Sequence, residues 1–238
     1  MQRLRITYGR GDAVKYISHL DVMRFWDRAF RRAHLPLAMS QGFHPHPRIS
    51  VAAPLPVGVT SEAELMDVHF DEALPVEEGL ERLRAQMAPG FTVLSGENVS
   101  EDLPSLQALV RFSEYLVDVE TALGADEVAN LLSGLLARAD IPWELTRDGE
   151  VRQYDMRPQL AALWLAAATE GLVTLGMRLQ TDGKASGRPE QVTKALGFEE
   201  PPLRIHRTQL VLEKPLPVPA AVIAQRRASR DEAERRRR

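Results

Sequence analysis

The sequence predicts an α+β protein made of two α/β sandwich domains in tandem. Apolar positions in residues 1–98 alternate between strand and helix spacing in the order βαββαβ, which is that of a ferredoxin-like unit. A second strand–helix order occupies residues 108–213, so we expect a second ferredoxin-like domain, decorated with extra elements. Residues 99–107 are the predicted linker. Residues 214–238 form a Pro- and Arg-rich tail that we expect to be partly disordered.

The first predicted elements are a strand at residues 4–8 and a helix that follows Ser18. Residues 14–17 are predicted to continue the extended chain after a turn that contains two glycines. Ser18 can cap the helix by accepting from a backbone N–H of the first turn, where Asp21 also suits the positive end of the helix dipole. We expect this helix to end near His34.

The two faces of this first helix differ in chemistry. Its apolar residues recur at helical spacing and are predicted to face the core: Val22, Trp26, Ala29, Phe30 and Ala33. Four arginines fall on the opposite side: Arg24, Arg28, Arg31 and Arg32. One face is therefore predicted to be core and the other cationic.

The other elements follow from proline positions and from period-two alternation. Two prolines keep residues 40–48 in a loop. In the first domain we expect strands at residues 49–54, 64–70 and 91–94, and a helix opened by Pro75 and closed by Pro89. In the second domain we expect strands at residues 110–119, 141–145, 151–156, 161–167, 171–179 and 203–212, and helices at residues 126–138 and 189–196.

Composition excludes several kinds of chemistry. The 238 residues include no cysteine, which rules out disulfides, thiolate nucleophiles, cysteine zinc sites and cysteine-ligated iron–sulfur clusters. The first residues are charged, and the longest apolar run, residues 160–168, is far shorter than a membrane span of roughly 20 residues. We therefore expect a cytoplasmic protein with no membrane partner. No cofactor is predicted.

Charge is distributed unevenly along the chain. Residues 1–50 contain nine Arg or Lys against three Asp, whereas residues 51–110 contain two against eleven Asp or Glu. In a chain of net charge −3, such a basic stretch is typical of one face that meets an anionic partner. The alternative is that the arginines form a solvated face that the acidic region neutralises.

The loop after the helix adds stacking groups to this basic region. Phe43, His44 and His46 offer flat rings next to Arg48, a combination that single-stranded nucleic-acid binders use. Together with Lys15 and the four helix arginines, these residues form the predicted RNA-binding site. No metal site is predicted, because no further acidic or His partner stands at a recognised ligand spacing.

His19 is the candidate catalytic residue. Placed in the first turn of the basic helix, where the dipole favours the neutral imidazole, it could act as a general base on a bound phosphodiester. The competing interpretation is a structural, hydrogen-bonded histidine, because its helical angle points towards the apolar side.

A glycine-rich basic loop lies in the second domain, at residues 183–188. Lys184 and Arg188 flank small residues before a helix, so the loop is predicted to hold a phosphate and is added to the RNA-binding site. It lacks the Gly-Lys-Ser/Thr order of a nucleotide-hydrolysing loop, which argues against nucleotide hydrolysis.

Several motifs together resemble the radical SAM-linked protein family, a bacterial domain of unknown function found alone or fused C-terminally to a radical SAM enzyme. They are Tyr16-Ile17-Ser18-His19-Leu20-Asp21 with Met23-Arg24, Gly42-Phe43-His44-Pro45-His46-Pro47, Ala53-Pro54-Leu55-Pro56-Val57-Gly58, Ser61-Glu62-Ala63-Glu64, Asp155-Met156-Arg157-Pro158, Gly183-Lys184-Ala185 and Arg188-Pro189. The resemblance covers about residues 3–213, although His44 stands where most members would have Asn. It implies a radical SAM partner.

The tandem arrangement also resembles, at the level of the fold alone, CRISPR repeat-processing endoribonucleases, which often use a histidine on the first helix. Because the chain has no cysteines for a cluster of its own, we expect an accessory protein rather than an enzyme. We predict that it binds RNA, either tRNA or rRNA, and presents this RNA to a radical SAM enzyme for modification. The alternatives are a metal-independent endoribonuclease that uses His19 and a protein–protein adaptor that binds no RNA.

Overall fold

The computed structural model describes residues 1–147, 150–183 and 185–213, and it confirms the predicted α+β class. Within these ranges, eight strands form one mixed sheet and two more form a separate hairpin. The predicted tail, residues 214–238, lies outside the described residues, and so does Lys184.

The first half of the chain supplies one end of the sheet. Its elements are β1 (Gln2–Arg10), α1 (His19–Arg32), β2 (Ile49–Val51), β3 (Thr60–Phe70), α2 (Val76–Arg84) and β4 (Phe91–Val99). Strand β1 lies between β4 and β3, and β2 pairs with β3, all antiparallel. Each long helix therefore connects two parallel strands that a third strand separates, which is a split βαβ arrangement.

The second half supplies the other end of the sheet in the same order. Its elements are α3 (Leu106–Leu109), β5 (Val110–Glu120), α4 (Ala125–Ala137), β6 (Pro142–Arg147), β7 (Glu150–Asp155), β8 (Leu160–Thr169), β9 (Leu172–Gln180), α5 (Pro189–Ala195) and β10 (Arg204–Leu212). Strand β5 lies between β10 and β9, and β8 pairs with β9, all antiparallel. The hairpin β6–β7 is the extra element of this half.

The two halves join through β3 and β10. These strands pair in parallel over a short stretch, where Thr60 and Ser61 lie opposite His206 and Arg207. Because of this pairing, the strands of both halves belong to one continuous sheet. The structure therefore does not confirm two separate ferredoxin-like sandwiches in tandem. The predicted domain boundaries stay predictions.

Most predicted elements lie where the periodicity places them, but residues 14–17 do not. The chain forms a 3-10 turn at Asp12–Val14 instead of extended structure. The N–H groups of Val14 and Lys15 donate to the carbonyls of Gly11 and Asp12, so short-range bonds replace the expected strand. Predicted strand ends differ as well, since β2 ends at Val51 and β4 extends to Val99.

Each half has its own hydrophobic core, one under α1 and α2 and the other under α4 and α5. The first core centres on aromatic rings. Trp26 is fully buried, with its ring centroid 4.8 Å from that of Tyr8 and 5.7 Å from that of Phe91. Phe25 stacks on Phe91 at 4.0 Å. The predicted apolar face of the first helix is thus confirmed as core.

Three of the nine Arg and Lys side chains of residues 1–50 are buried, those of Arg3, Arg5 and Arg10. Arg3 and Arg5 both donate to the carboxylate of Asp67 on the neighbouring strand, at 2.6 and 2.8 Å, and all three side chains are buried. Arg3 also donates to the carbonyls of Leu103 and Pro104, which holds the predicted linker against the sheet. Much of the basic excess near the N-terminus is therefore structural and not available at the surface.

No helix within the described ranges is long and apolar enough to cross a membrane.

Candidate functional site

The basic helix α1 begins at a side-chain cap. The Ser18 hydroxyl accepts from the backbone N–H of Asp21 at 3.2 Å, as predicted. The hydrogen bonds from Ser18 and Arg24 hold the pKa of the Asp21 carboxyl below its usual value. This carboxylate is fixed in the first turn, where its negative charge interacts favourably with the positive end of the helix dipole.

All four predicted arginines of α1 are exposed, but they differ in their partners. Arg24 pairs with Asp21 at 3.2 Å and Arg31 with Asp27 at 2.7 Å. Arg32 donates to the backbone carbonyl of Gln86 at 3.3 Å. Arg28 has no hydrogen bond or ion pair within the described part of the chain. Exposed ion pairs of this kind contribute little to stability, so an anionic ligand can replace the carboxylates.

Lys15 lies just before the cap and is held locally. Its ammonium group is 2.9 Å from the carboxylate of Asp12 and 5.3 Å from the centroid of the Tyr16 ring. The Tyr16 ring is 73% exposed, which leaves it open to a ligand.

Residues 40–48 form a compact loop at the other end of α1. The N–H of Ser40 donates to the carbonyl of His46 at 2.7 Å, and the N–H of His46 donates back to the Ser40 hydroxyl at 2.9 Å. These bonds close the loop and leave Phe43 fully exposed at its tip, beside exposed His44. Arg48 stands at the base of the loop, half-buried.

The loop and the end of α1 lie at the same end of the first half. Phe70, the last residue of β3, pairs with Leu37 in the segment that leads into the loop and packs on Phe30 of α1 at 6.3 Å. The structure therefore places the loop near the C-terminal end of α1, the end that carries Arg31 and Arg32, whereas Arg24 pairs with Asp21 in the first turn. Arg188 does not belong to this region, because it lies at the start of α5 in the other half.

His19 is not where its helical angle predicts. It is the first residue of α1, and its side chain is exposed instead of packing against the apolar stripe. Within the described residues it has no hydrogen-bond partner. The structure thus shows neither the packing nor the hydrogen bond that the prediction of a structural histidine requires.

His19→Ala is accordingly expected to change the free energy of unfolding by less than about 0.5 kcal/mol, since the side chain is exposed. Urea denaturation followed by circular dichroism measures this. A loss of several times that value would show that His19 is held by contacts that an exposed side chain does not make.

A cavity of about 750 Å³ lies between the two halves. Residues 52–56 of the first half form one wall, and residues 181–183 and 186–191 of the second half form the other. Gln107 and Val110, from the short helix α3 and the start of β5, also line it, as do Tyr115 of β5 and Arg207 of β10. Two motifs that are far apart in the sequence thus meet here: the Pro54-Leu55-Pro56 segment and the glycine-rich loop. Sequence reasoning missed the cavity because no local pattern signals the meeting of two halves.

The floor of the cavity contains a buried ion pair. Arg207 donates to both carboxylate oxygens of Glu64, at 2.8 and 2.5 Å, and to the carbonyl of Ala53 at 2.9 Å. Burial by itself would lower the pKa of the Arg207 guanidinium, but Glu64 and Tyr115 outweigh it and raise that pKa above its usual value. The cation is therefore permanent, and it fixes β10 to β3 across the junction of the halves.

The family described as "Uncharacterized protein conserved in bacteria (DUF2344)" matches residues 3–189 of the chain. The chain belongs to this family. The match includes nearly all of the residues that line the cavity and the whole of the basic helix and its loop. It says nothing of a radical SAM enzyme, so that partner stays a prediction. No curated protein matches the chain.

Among solved structures, the chain is similar to one in the "Cbf5-Nop10-Gar1 Complex", with 9% identity and a TM-score of 0.49. It is similar to one in the "archaeal box H/ACA sRNP Nop10-Cbf5 complex", with 9% identity and a TM-score of 0.47. Each match covers 87% of this chain and 48% of the other, so the chain spans about half the length of these relatives. At such scores the similarity carries no argument about function.

Proposed function

We propose that the protein binds RNA through α1 and the loop of residues 40–48. The RNA would be a tRNA or an rRNA, which the protein presents to a radical SAM enzyme. The observation that carries the proposal is the exposed arginine face of α1, together with the fully exposed ring of Phe43 on the loop near the C-terminal end of the helix. Guanidinium groups bind phosphates, and an exposed aromatic ring stacks on unpaired bases.

The partners of the arginines support this proposal. Arg28 is available to a phosphate without breaking a hydrogen bond or ion pair to the described residues, whereas Arg24 and Arg31 must exchange a carboxylate for one. The exchange costs little, because both carboxylates are at the surface and can be solvated by water after they part. The buried cations Arg3 and Arg5 take no part.

The radical SAM partner is supported by the resemblance in sequence motifs. An accessory role agrees with the absence of cysteines from the sequence, since a radical SAM enzyme needs cysteine thiolates to bind its cluster. The two other roles, an endoribonuclease and a protein adaptor, give different results when RNA that co-purifies with the protein is crosslinked and sequenced. Intact RNA supports the carrier, RNA cleaved at one position supports the nuclease, and no RNA supports the adaptor.

Replacing Arg24, Arg28 and Arg31 together by Ala is expected to weaken RNA binding without unfolding the protein, because the three side chains lie opposite the apolar stripe. Each lost phosphate contact with a single strand flattens the plot of log affinity against log salt by about 0.7, so the triple variant should lose roughly two units of slope. Titration of a fluorescent RNA at several salt concentrations measures this.

The matched control removes three exposed cations elsewhere: Arg138, Arg152 and Lys194. This control triple variant has the same net charge but keeps α1 intact, so its slope should stay close to that of the wild type. If both triple variants lose the same slope, cations spread over the whole surface bind the RNA and α1 is not the binding surface.

A further inference from the structure

We propose that the cavity between the two halves binds one unpaired nucleobase, with the phosphate of the same nucleotide at the mouth beside Arg188. This inference rests on the proposed function, because the base is expected to come from RNA that α1 has bound. It adds a second site, and it gives the two halves a joint role.

The size of the cavity suits a single nucleotide. Its volume of about 750 Å³ falls within the roughly 300–1,000 Å³ of small-ligand sites, which often lie where two structural units meet. A folded RNA duplex or a protein surface could not enter it. One residue extruded from a strand could.

The lining suits a flat, neutral ring with hydrogen-bonding edges. Pro54, Pro56 and Pro189 present apolar ring faces, while Gln107 and Ser186 stand exposed at the rim. A glutamine amide both donates and accepts, as does the edge of a base, and a hydroxyl does the same. Apolar walls with a few polar groups are the ordinary pattern of a small-molecule site.

Charge decides which part of the nucleotide lies inside. The described lining contains two guanidinium groups, of Arg188 and Arg207, and two carboxylates, of Asp182 and Glu190. The Arg207 guanidinium is already paired with the carboxylate of Glu64, which does not line the cavity. Among the described lining residues the charges balance, and such an environment does not favour a phosphate dianion, whereas a neutral base carries no such cost. Arg188 is exposed and can contact the phosphate at the mouth.

The segment that forms one wall of the cavity is joined to the chain just before the basic helix. The N–H of Gly58, just after the segment that forms one wall, donates to the carbonyl of Lys15 at 2.8 Å. The Tyr16 ring lies next to Gly58 and is largely exposed. An RNA strand along α1 therefore passes an exposed ring before it reaches the cavity, which places an extruded base within reach.

The test uses the full chain and the four nucleoside monophosphates, AMP, CMP, GMP and UMP, measured by isothermal titration calorimetry. We expect saturable binding of at least one of them. Gln107→Leu should weaken that binding about three- to tenfold, the range for loss of one hydrogen bond. The matched control is Gln209→Leu, which removes the same amide from an exposed site on β10 that does not line the cavity, and it should bind like the wild type.

Arg188→Gln tests the orientation of the nucleotide. It should weaken binding of the monophosphate roughly threefold or more and leave binding of the corresponding nucleoside unchanged, because only the phosphate meets Arg188. The proposal is overturned if no monophosphate binds the wild type, if Gln107→Leu and Gln209→Leu behave alike, or if Arg188→Gln weakens nucleoside and monophosphate equally.

The same measurements separate this inference from the proposed function. The triple variant of α1 should lose RNA affinity and still bind the monophosphate. Wild-type protein that binds the monophosphate but no RNA would refute the proposed function and identify a free nucleotide as the ligand. Protein that binds RNA but no monophosphate would leave the proposed function standing and overturn the cavity site.

Discussion

Replacing Trp26 by Ala is expected to lower the free energy of unfolding by about 3–5 kcal/mol, the usual cost of removing a large buried aromatic side chain. Trp26 is fully buried and contacts the rings of Tyr8, Phe25, Phe30 and Phe91. No small movement of the backbone can fill the space of an indole among four other rings. Since domains are stable by only about 5–15 kcal/mol, the variant should unfold at a much lower urea concentration.

Trp164→Ala is the control for this prediction. Trp164 lies on the edge strand β8, is 38% exposed, and packs over Gly176, so its removal leaves an opening to solvent instead of a closed cavity. Its loss should cost clearly less. Urea denaturation followed by far-ultraviolet circular dichroism compares the two without relying on indole fluorescence. Equal midpoints would show that α1 does not hold the first core together.

Glu64→Gln is expected to be similarly severe, at about 3–5 kcal/mol, because it leaves the Arg207 guanidinium buried without its carboxylate. The two side chains are 3% and 1% exposed, so water cannot replace the missing charge. The neighbouring substitution Glu62→Gln changes an exposed carboxylate and should be close to neutral. Thermal and urea denaturation of the two variants give the comparison.

The double variant Glu64→Leu with Arg207→Leu provides a further check on the ion pair. With both charges removed, no uncompensated ion remains, and buried pairs replaced by apolar residues often cost little. We therefore expect the double variant to be more stable than Glu64→Gln. A double variant that is less stable would mean that the hydrogen bond from Arg207 to the carbonyl of Ala53 matters more than the charges.

Local signals explain which elements the sequence predicts well. Helix α1 begins after Ser18 and ends within two residues of the predicted His34, because a capping side chain and a 3.6-residue period act within one segment. Residues 14–17 were predicted to be extended, but the carbonyls of Gly11 and Asp12 accept bonds from the residues that follow. The strand propensity of the two β-branched residues, Val14 and Ile17, does not outweigh those short-range hydrogen bonds.

Long-range pairing explains what the sequence does not predict. Only two residues of β3 pair with β10, and the two strands are far apart along the chain, so no periodicity reveals that both halves share a sheet. The alternation itself carries a signal for the buried arginines. Arg3 and Arg5 alternate with the apolar residues of β1, and Asp67 alternates with those of β3, so the opposite charges share one face of two paired strands. Counting charge without considering strand faces assigns those two arginines to the surface.

The exposed part of the candidate site was easier to predict than the enclosed part. The arginines of α1 and the rings of Phe43 and His44 are exposed as expected, because a polar helix face and a proline-bounded loop are local properties. The cavity depends on where the loop at residues 52–56 meets residues 186–191, and that meeting depends on the pairing of β3 with β10. Its role in binding could therefore be inferred only from the structure.

The junction of β3 and β10 has a consequence for folding during synthesis. A ribosome completes β3 long before it reaches β10, which is the last strand of the described chain. Until then, the Thr60 end of β3 has no neighbour on that side, and Glu64 lacks the Arg207 guanidinium with which it pairs in the folded protein. An unpaired strand edge can recruit other chains. We therefore expect the protein to be most prone to aggregation, and most accessible to chaperones, while only its first half has been synthesised.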